Sequence, residues 1–309
     1  MENEIPSRLK PDPSRLERRL QPGLAAPPEA LDAFRPYAFL AEEERSRAGE
    51  IVSVNAIFLT NRECPWRCVM CDLWKNTLAE SVPVGAIPTQ IEYALARLPA
   101  ARHIKLYNSG SFFDPRAIPV ADYPAIAALV ARFEHVIVES HPGLVGDDCL
   151  RFRDLLSGRL EVAMGLETVH PGVLPRLNKH MTLDQFGKAA EFLRANGIDL
   201  RAFILVKPPF MLADEAVEWA CRSIDFAFEC RASAATLIPT RGNAPPSIAM
   251  LQESVEYGIA LGKGRVFADL WDLRRFSTCD VCFDARAARL HRMNLDQAVT
   301  PPIACGACR

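Results

Sequence analysis

No run in the sequence approaches eighteen apolar residues, so no segment reads as a membrane-spanning helix. The first twenty residues, MENEIPSRLKPDPSRLERRL, lack an apolar core, and the expectation is that they are not a secretory signal. There is no G-x-x-x-x-G-K-[ST] loop and no G-x-G-x-x-G after the first strand pattern, which removes support from phosphate-loop and dinucleotide-binding readings. No repeat of fixed period and no low-complexity tract stands out, so a solenoid has no support either. Nor does one sign of charge dominate. With 36 Lys/Arg against 38 Asp/Glu, the formal charge of -2 excludes a globally basic nucleic-acid binder, though not a local basic face.

What is present is a chain of 309 residues, 49% hydrophobic, enough for one large α/β domain or two modest ones whose core needs no disulfides. The expected location is the cytoplasm. Ten cysteines are then an excess to explain, because in reducing surroundings clustered cysteines more often bind metal or catalyse than form disulfides. Cys64, Cys68 and Cys71 form C-x3-C-x2-C, while Cys279/Cys282 and Cys305/Cys308 form two C-x2-C pairs. Cys149, Cys221 and Cys230 stand alone, as small packed hydrophobes do.

Residues 1–48 are rich in proline and charge and read as an N-terminal arm. From Ile51, apolar β-branched runs recur over 51–59, 103–107, 135–138, 160–165, 200–206 and 234–238, with amphipathic helices between them. The clearest helix starts after Thr182, with Gln185 completing a capping box, and ends at Gly197. Buried strands alternating with helices predict βαβ units and a parallel sheet, in an α/β core over 49–245. Six units are too few for a closed eight-fold barrel. Residues 246–309 are expected to form a small helical C-terminal lobe carrying the last four cysteines.

Three thiolates on a short loop can hold three irons of a [4Fe–4S] cluster, and no fourth cysteine lies nearby, so one iron would stay open. A structural zinc site needs four closed ligands, and no nearby histidine supplies the fourth; a three-cysteine catalytic zinc is the remaining alternative. Written out, NRECPWRCVMCDLW over 61–74 resembles the signature of the radical S-adenosylmethionine (SAM) superfamily, which follows the first strand of a partial (β/α)6 TIM-like barrel. The resemblance covers about residues 50–245. It implies that the open iron binds SAM and that a one-electron donor such as flavodoxin or ferredoxin reduces the cluster. SAM then yields methionine and a 5′-deoxyadenosyl radical that abstracts a substrate hydrogen. Met70 stands where the family usually has an aromatic residue, and keeps an apolar contact for the adenine. Asn108, Ser109 and Gly110 end the second strand, where the family places a short glycine-rich contact to SAM. Gly165-Leu166-Glu167-Thr168 resembles the G-x-E-[ST] of the branch holding Elongator's catalytic subunit and the tRNA methylthiotransferases, which makes Glu167 a candidate SAM ligand.

Ligands of parallel barrels collect at the C-terminal ends of the strands. The cysteine loop, residues 108–110, Glu139 to Pro142, Glu167 and Lys207 to Pro209 are therefore expected to face one mouth. His141 and Lys207 are candidates there for handling substrate or protons.

The C-terminal pairs, twenty-two residues apart, supply four thiolates, enough for a closed zinc site or a second [4Fe–4S] cluster, and the spacing does not choose between them. From Lys263 onward eight Lys/Arg outnumber five Asp/Glu, which permits an RNA substrate without indicating one. The segments CPWRCVMCDLW and IKLYNSGSFFD are also similar to the archaeosine-biosynthesis radical SAM lyase-like proteins. That likeness implies hydrogen abstraction from a modified tRNA base or its precursor, followed by bond cleavage. Methylthiolation is the enzymatic alternative, and a non-catalytic iron–sulfur or zinc electron-transfer protein is the alternative from another class.

Overall fold

A computed structural model describes residues 31–242 and 245–308. The opening part of the expected arm, 1–30, lies outside the described residues. One sheet of eight strands runs in sequence order. Strand β1 (Ala38–Arg45) pairs antiparallel with β2 (Ile51–Phe58). Strands β3 (His103–Tyr107), β4 (His135–Ser140), β5 (Arg159–Glu167), β6 (Asp199–Val206), β7 (Ala234–Pro239) and β8 (Arg265–Ala268) follow in parallel. Between the parallel strands run helices α1 (Ala86–Leu95), α2 (Tyr123–Val130), α3 (Asp147–Leu155), α4 (Leu183–Ala195), α5 (Ala216–Glu229) and α6 (Ile248–Ala260). The six expected strands are β2 to β7. They read as apolar runs because helices cover one face and the barrel interior the other, so that β5 is buried from Leu160 to Glu167. Helix α4 has the expected capping box, in which Gln185 N–H donates to Thr182 Oγ1 at 3.2 Å and Thr182 N–H donates to Gln185 Oε1 at 2.9 Å. Gly197 beyond its end has φ 68°.

Laid flat, eight strands at about 4.8 Å spacing would put the outer two about 34 Å apart. Instead Arg265 Nη1 on β8 donates to the Arg45 carbonyl on β1 at 3.2 Å, so the sheet curls into a partial barrel. A final helix, α7 (Asp280–Asp296), packs against both β1 and β8. Two side-chain amides at its end fill ladder positions that a ninth strand would take. Ala268 N–H donates to Asn294 Oδ1 and Asn294 Nδ2 to the Ala268 carbonyl, at 2.8 and 2.9 Å. Val266 N–H donates to Gln297 Oε1 and Gln297 Nε2 to the Val266 carbonyl, at 2.6 and 2.9 Å. A free β8 edge would invite pairing with another chain, and these amides block it.

Strands β1 and β8 fall outside the six read from sequence, and both correct it. The arm reading misses β1 because AFLAEEER carries three successive glutamates. The third of them, Glu44, is nonetheless buried at the barrel's N-terminal end, where Arg201 on β6 and Lys105 on β3 each meet it at 2.5 Å. Glu161 on β5 completes this floor, meeting Arg201 at 2.6 Å and Arg265 at 2.9 Å. Strand β8 is only four residues long and opens on an arginine that belongs to the same floor. Among the described residues no helix is long and apolar enough to cross a membrane.

Candidate active site

Leu59 N–H donates to the Tyr107 carbonyl at 2.7 Å, extending the ladder of β2 by one residue before the chain leaves the sheet at the opposite end of the barrel. The cysteine loop that follows is tied to the connection after β5. Val69 N–H donates to the Leu177 carbonyl at 3.0 Å, and Asn178 Nδ2 to the Arg67 carbonyl at 2.8 Å. Cys71 N–H closes a turn onto the Cys68 carbonyl at 3.1 Å. Cys64, Cys68 and Cys71 are half-buried on this loop. Burial pushes the Cys64 thiol up to about 12 and the Cys68 thiol up to about 11, with the Lys179 ammonium pulling both downward. Burial thus favours neutral thiols, and a bound metal reverses that preference because the thiolate is the ligand.

The end of β3 lies directly against the first cysteine: a Cβ on Gly110 would stand 3.4 Å from Cys64 Cβ. This turn is shaped by Glu139 at the end of β4, whose Oε1 accepts from Asn108 N–H at 2.5 Å and Gly110 N–H at 3.4 Å. Burial pushes the Glu139 carboxyl up, and those backbone N–H groups oppose the shift. Ser109 takes φ 55°, and its Oγ lies 2.9 Å from the Tyr37 hydroxyl. The Asn108 side chain is fully buried, yet neither its Oδ1 nor its Nδ2 has a hydrogen-bond partner among the described residues. An unsatisfied buried polar group costs about 1–3 kcal/mol, so this amide fits a site completed by a polar ligand.

Glu167, buried at the end of β5 with φ 64°, is ion-paired to Lys179, and a Cβ on Gly165 would collide with both partners. Burial alone would lower the Lys179 ammonium, but Glu167 and the Cys68 and Cys64 sulfurs hold it above the usual lysine range. Lys207 follows β6 with φ 53° and is half-buried, and Asp272 follows β8 with φ 54°. Left-handed backbone at non-glycine residues costs on the order of 1–3 kcal/mol each, and four such positions crowd the C-terminal ends of β3, β5, β6 and β8. Met70 leans on an apolar wall of Val173, Leu177 and Met211 from the connections after β5 and β6.

His141 stacks on Trp66 of the cysteine loop, with ring centroids 3.8 Å apart and planes 10° from parallel. Its Nδ1 accepts from Gly143 N–H at 3.0 Å, which puts the ring proton on Nε2 to donate to the Lys179 carbonyl, also at 3.0 Å. Burial, reinforced by the Lys179 charge, lowers the imidazole to about 3. With both nitrogens engaged in this geometry, His141 braces the cysteine loop. Trp66, Tyr37 and Lys179 were not singled out from the sequence. Trp66 lies within the cysteine loop, where the motif itself marks it, whereas Tyr37 precedes β1 and Lys179 lies twelve residues past Glu167, with no local motif to mark either.

The C-terminal cysteines form a group of their own at the start of α7, with all four sulfurs within 4.8 Å of one another. Among the described residues no other set of His, Cys, Asp and Glu ligand atoms converges so tightly, the three loop sulfurs included.

No family model matches the chain. It is similar to an uncharacterized protein of Methanocaldococcus jannaschii, at 25% identity over 67% of this chain and 61% of that protein. It is also similar to archaeosine synthase subunit beta of Methanosarcina acetivorans, at 29% identity over 53% of this chain and 51% of the relative. The chain therefore spans between half and two thirds of the length of the curated relatives it matches. In fold it is similar to methylornithine synthase, with a TM-score of 0.52 at 14% identity over 78% of this chain and 70% of that one. The Elp3 of Methanocaldococcus infernus gives 0.50 at 12% identity over 67% and 59%. These two likenesses establish a shared partial-barrel fold.

Proposed function

We propose that the chain is a radical SAM enzyme that acts in the cytoplasm. The observation that carries this reading is the C-x3-C-x2-C loop at the barrel mouth, packed against the unsatisfied Asn108, Gly110 and the Glu167–Lys179 pair. Cys64, Cys68 and Cys71 hold a [4Fe–4S] cluster. When bound with SAM, that cluster supplies reductive cleavage to methionine and a 5′-deoxyadenosyl radical, using one electron from a flavodoxin- or ferredoxin-like donor. Asn108, Ser109 and Gly110 present an amide, a hydroxyl and close backbone to the SAM methionyl end, with Glu139 fixing their turn. Glu167 accepts from the SAM ribose or amino group, Lys179 holds that carboxylate in place, and Met70 offers the adenine an apolar wall. Lys207, half-buried after β6, and His141 are the candidates for handling substrate or protons. The likeness to archaeosine synthase subunit beta favours an RNA base or its precursor as substrate and a second protein as partner.

The test is anaerobic reconstitution with iron and sulfide, followed by dithionite and SAM. Formation of 5′-deoxyadenosine is the expected result. Its absence from a chain carrying an intact cluster sinks the proposal in favour of an electron-transfer or metal-binding role.

A further inference from the structure

We propose that Cys279, Cys282, Cys305 and Cys308 bind one zinc ion, and that this ion staples the C-terminal tail to the start of α7. The sulfur spacing makes the distinction that sequence spacing could not. Four thiolates around one tetrahedral ion at about 2.3 Å stand about 3.8 Å apart. Here Cys279 Sγ and Cys305 Sγ are 3.9 Å apart, Cys282 Sγ and Cys308 Sγ 3.4 Å, and all four lie within 4.8 Å of one another. A four-iron cubane binds its thiolates at separate corners from which they radiate, so they cannot all crowd together in this way. A disulfide needs sulfurs at about 2.05 Å, and neither contact is that short.

The tail gives a second, independent reason. From Pro301 to Cys308 only Ile303 and Cys305 are half-buried and the rest are exposed, so packing does not hold it. It nonetheless runs back along α7. Arg289 Nε donates to the Pro301 carbonyl at 2.8 Å, Arg289 Nη2 donates to the Thr300 carbonyl, and the two cysteine pairs then meet. A metal bond supplies the folding energy that such a segment lacks. The local field is suited to anionic sulfur. Cys279 is the N-cap of α7 and Cys282 lies in its first turn, where the helix dipole is positive. Arg286 Nε donates to Cys282 Sγ at 3.2 Å, while its Nη1 is fixed by Gln252 at 2.7 Å.

The staple also reaches toward the mouth. The connection between β8 and Cys279 contains Asp272, and Arg241 lies 4.0 Å from Asp272 and 3.5 Å from Asp72, next to Cys71. Zinc is redox-inert, so its role is to hold this connection and the tail, not to pass electrons.

Elemental analysis of the full chain, purified anaerobically, tests the proposal through three samples. Wild type should carry about one zinc per chain besides its iron. The variant with Cys64, Cys68 and Cys71 all changed to Ala should lose its iron and keep that zinc. Cys305→Ser should lose zinc and keep iron. Because Cys305→Ser could fail to fold, cobalt(II) is loaded into the wild-type chain as a second measurement. The thiolate-to-cobalt charge transfer and strong visible bands of a tetrahedral site are expected. Iron and sulfide retained by the triple-alanine variant, two disulfides in the anaerobic chain, or an octahedral cobalt spectrum each overturn the proposal. None of these readouts depends on SAM cleavage, so the zinc site and the radical SAM reading fail separately.

Discussion

The barrel buries charge at both ends and treats it in opposite ways. At the floor Glu44, Glu161, Lys105, Arg201 and Arg265 come from five different strands and pair with one another. At the mouth, the Asn108 amide has no partner among the described residues, Glu139 is spent on shaping a turn, and Glu167 has Lys179 beside half-buried thiols. The left-handed non-glycine residues Ser109, Glu167, Lys207 and Asp272 sit at the mouth, at or just beyond the ends of β3, β5, β6 and β8, whereas Arg201 and Glu161 lie in regular strand. A charge network closed on itself fixes the shape of a barrel. Arg265 Nε and His135 Nε2 at the floor also lack hydrogen-bond partners, so what sets the mouth apart is left-handed backbone at the strand ends beside the thiols.

The widest separation between the two ends should come from Cys68→Ala. It should abolish 5′-deoxyadenosine formation while shifting the melting temperature of the metal-free chain by less than about 4 °C, or ~1 kcal/mol. Residual SAM cleavage in that variant would put the cluster elsewhere. Arg201→Met is the converse experiment at the floor. Breaking a buried pair strands the remaining charges, here Glu44 and Glu161, and should cost about 3–5 kcal/mol in denaturant unfolding. A loss below about 1 kcal/mol, the level of an exposed pair, would show that the floor does not depend on this network.

A smaller effect is expected from Glu167→Gln. Removing a charged hydrogen bond worth ~1.5–3 kcal/mol should weaken SAM binding by about ten- to a hundredfold. Calorimetry on the reconstituted protein measures this, and unchanged affinity would assign Glu167 to structure alone. The mildest contrast is in pH. Burial, and then the neighbouring His135, lowers His103 at the floor to about 4, while His141 at the mouth is lowered to about 3, both from an ordinary 6.5. Each is neutral when folded, and the unfolded chain takes up the proton first. Their stabilisation is therefore complete above about 6.5 and is lost as pH falls toward 4 and then 3, at no more than ~1.4 kcal/mol per pH unit for each. Unfolding free energies between pH 7 and 4.5 for wild type and His103→Gln check this. A variant with the wild-type slope would exclude the floor histidine as its source.

Much of the mouth was legible in the sequence because its parts are covalent neighbours. Cys64, Cys68 and Cys71 share one loop, Asn108 to Gly110 one turn, and Glu167 stands at a strand end whose apolar run is plain. The Thr182–Gln185 capping box was legible for the same reason. The floor was not, since Glu44 and Arg201 are 157 residues apart and each looks like a surface charge in its own segment. The contacts that brace His141 were not legible either, since they include the Lys179 carbonyl, 38 residues away.

The sequence by itself determined the six central strands, the order of helices between them and the two sets of clustered thiols, all of which follow from local periodicity and spacing. Tertiary structure decided the rest. It brought β1 and β8 to the edges of the barrel, set Lys179 against Glu167, engaged both nitrogens of His141, and drew two distant cysteine pairs to within the reach of one ion. Each of these depends on contacts between residues far apart in the chain. Their energies exist only once the sheet has curled.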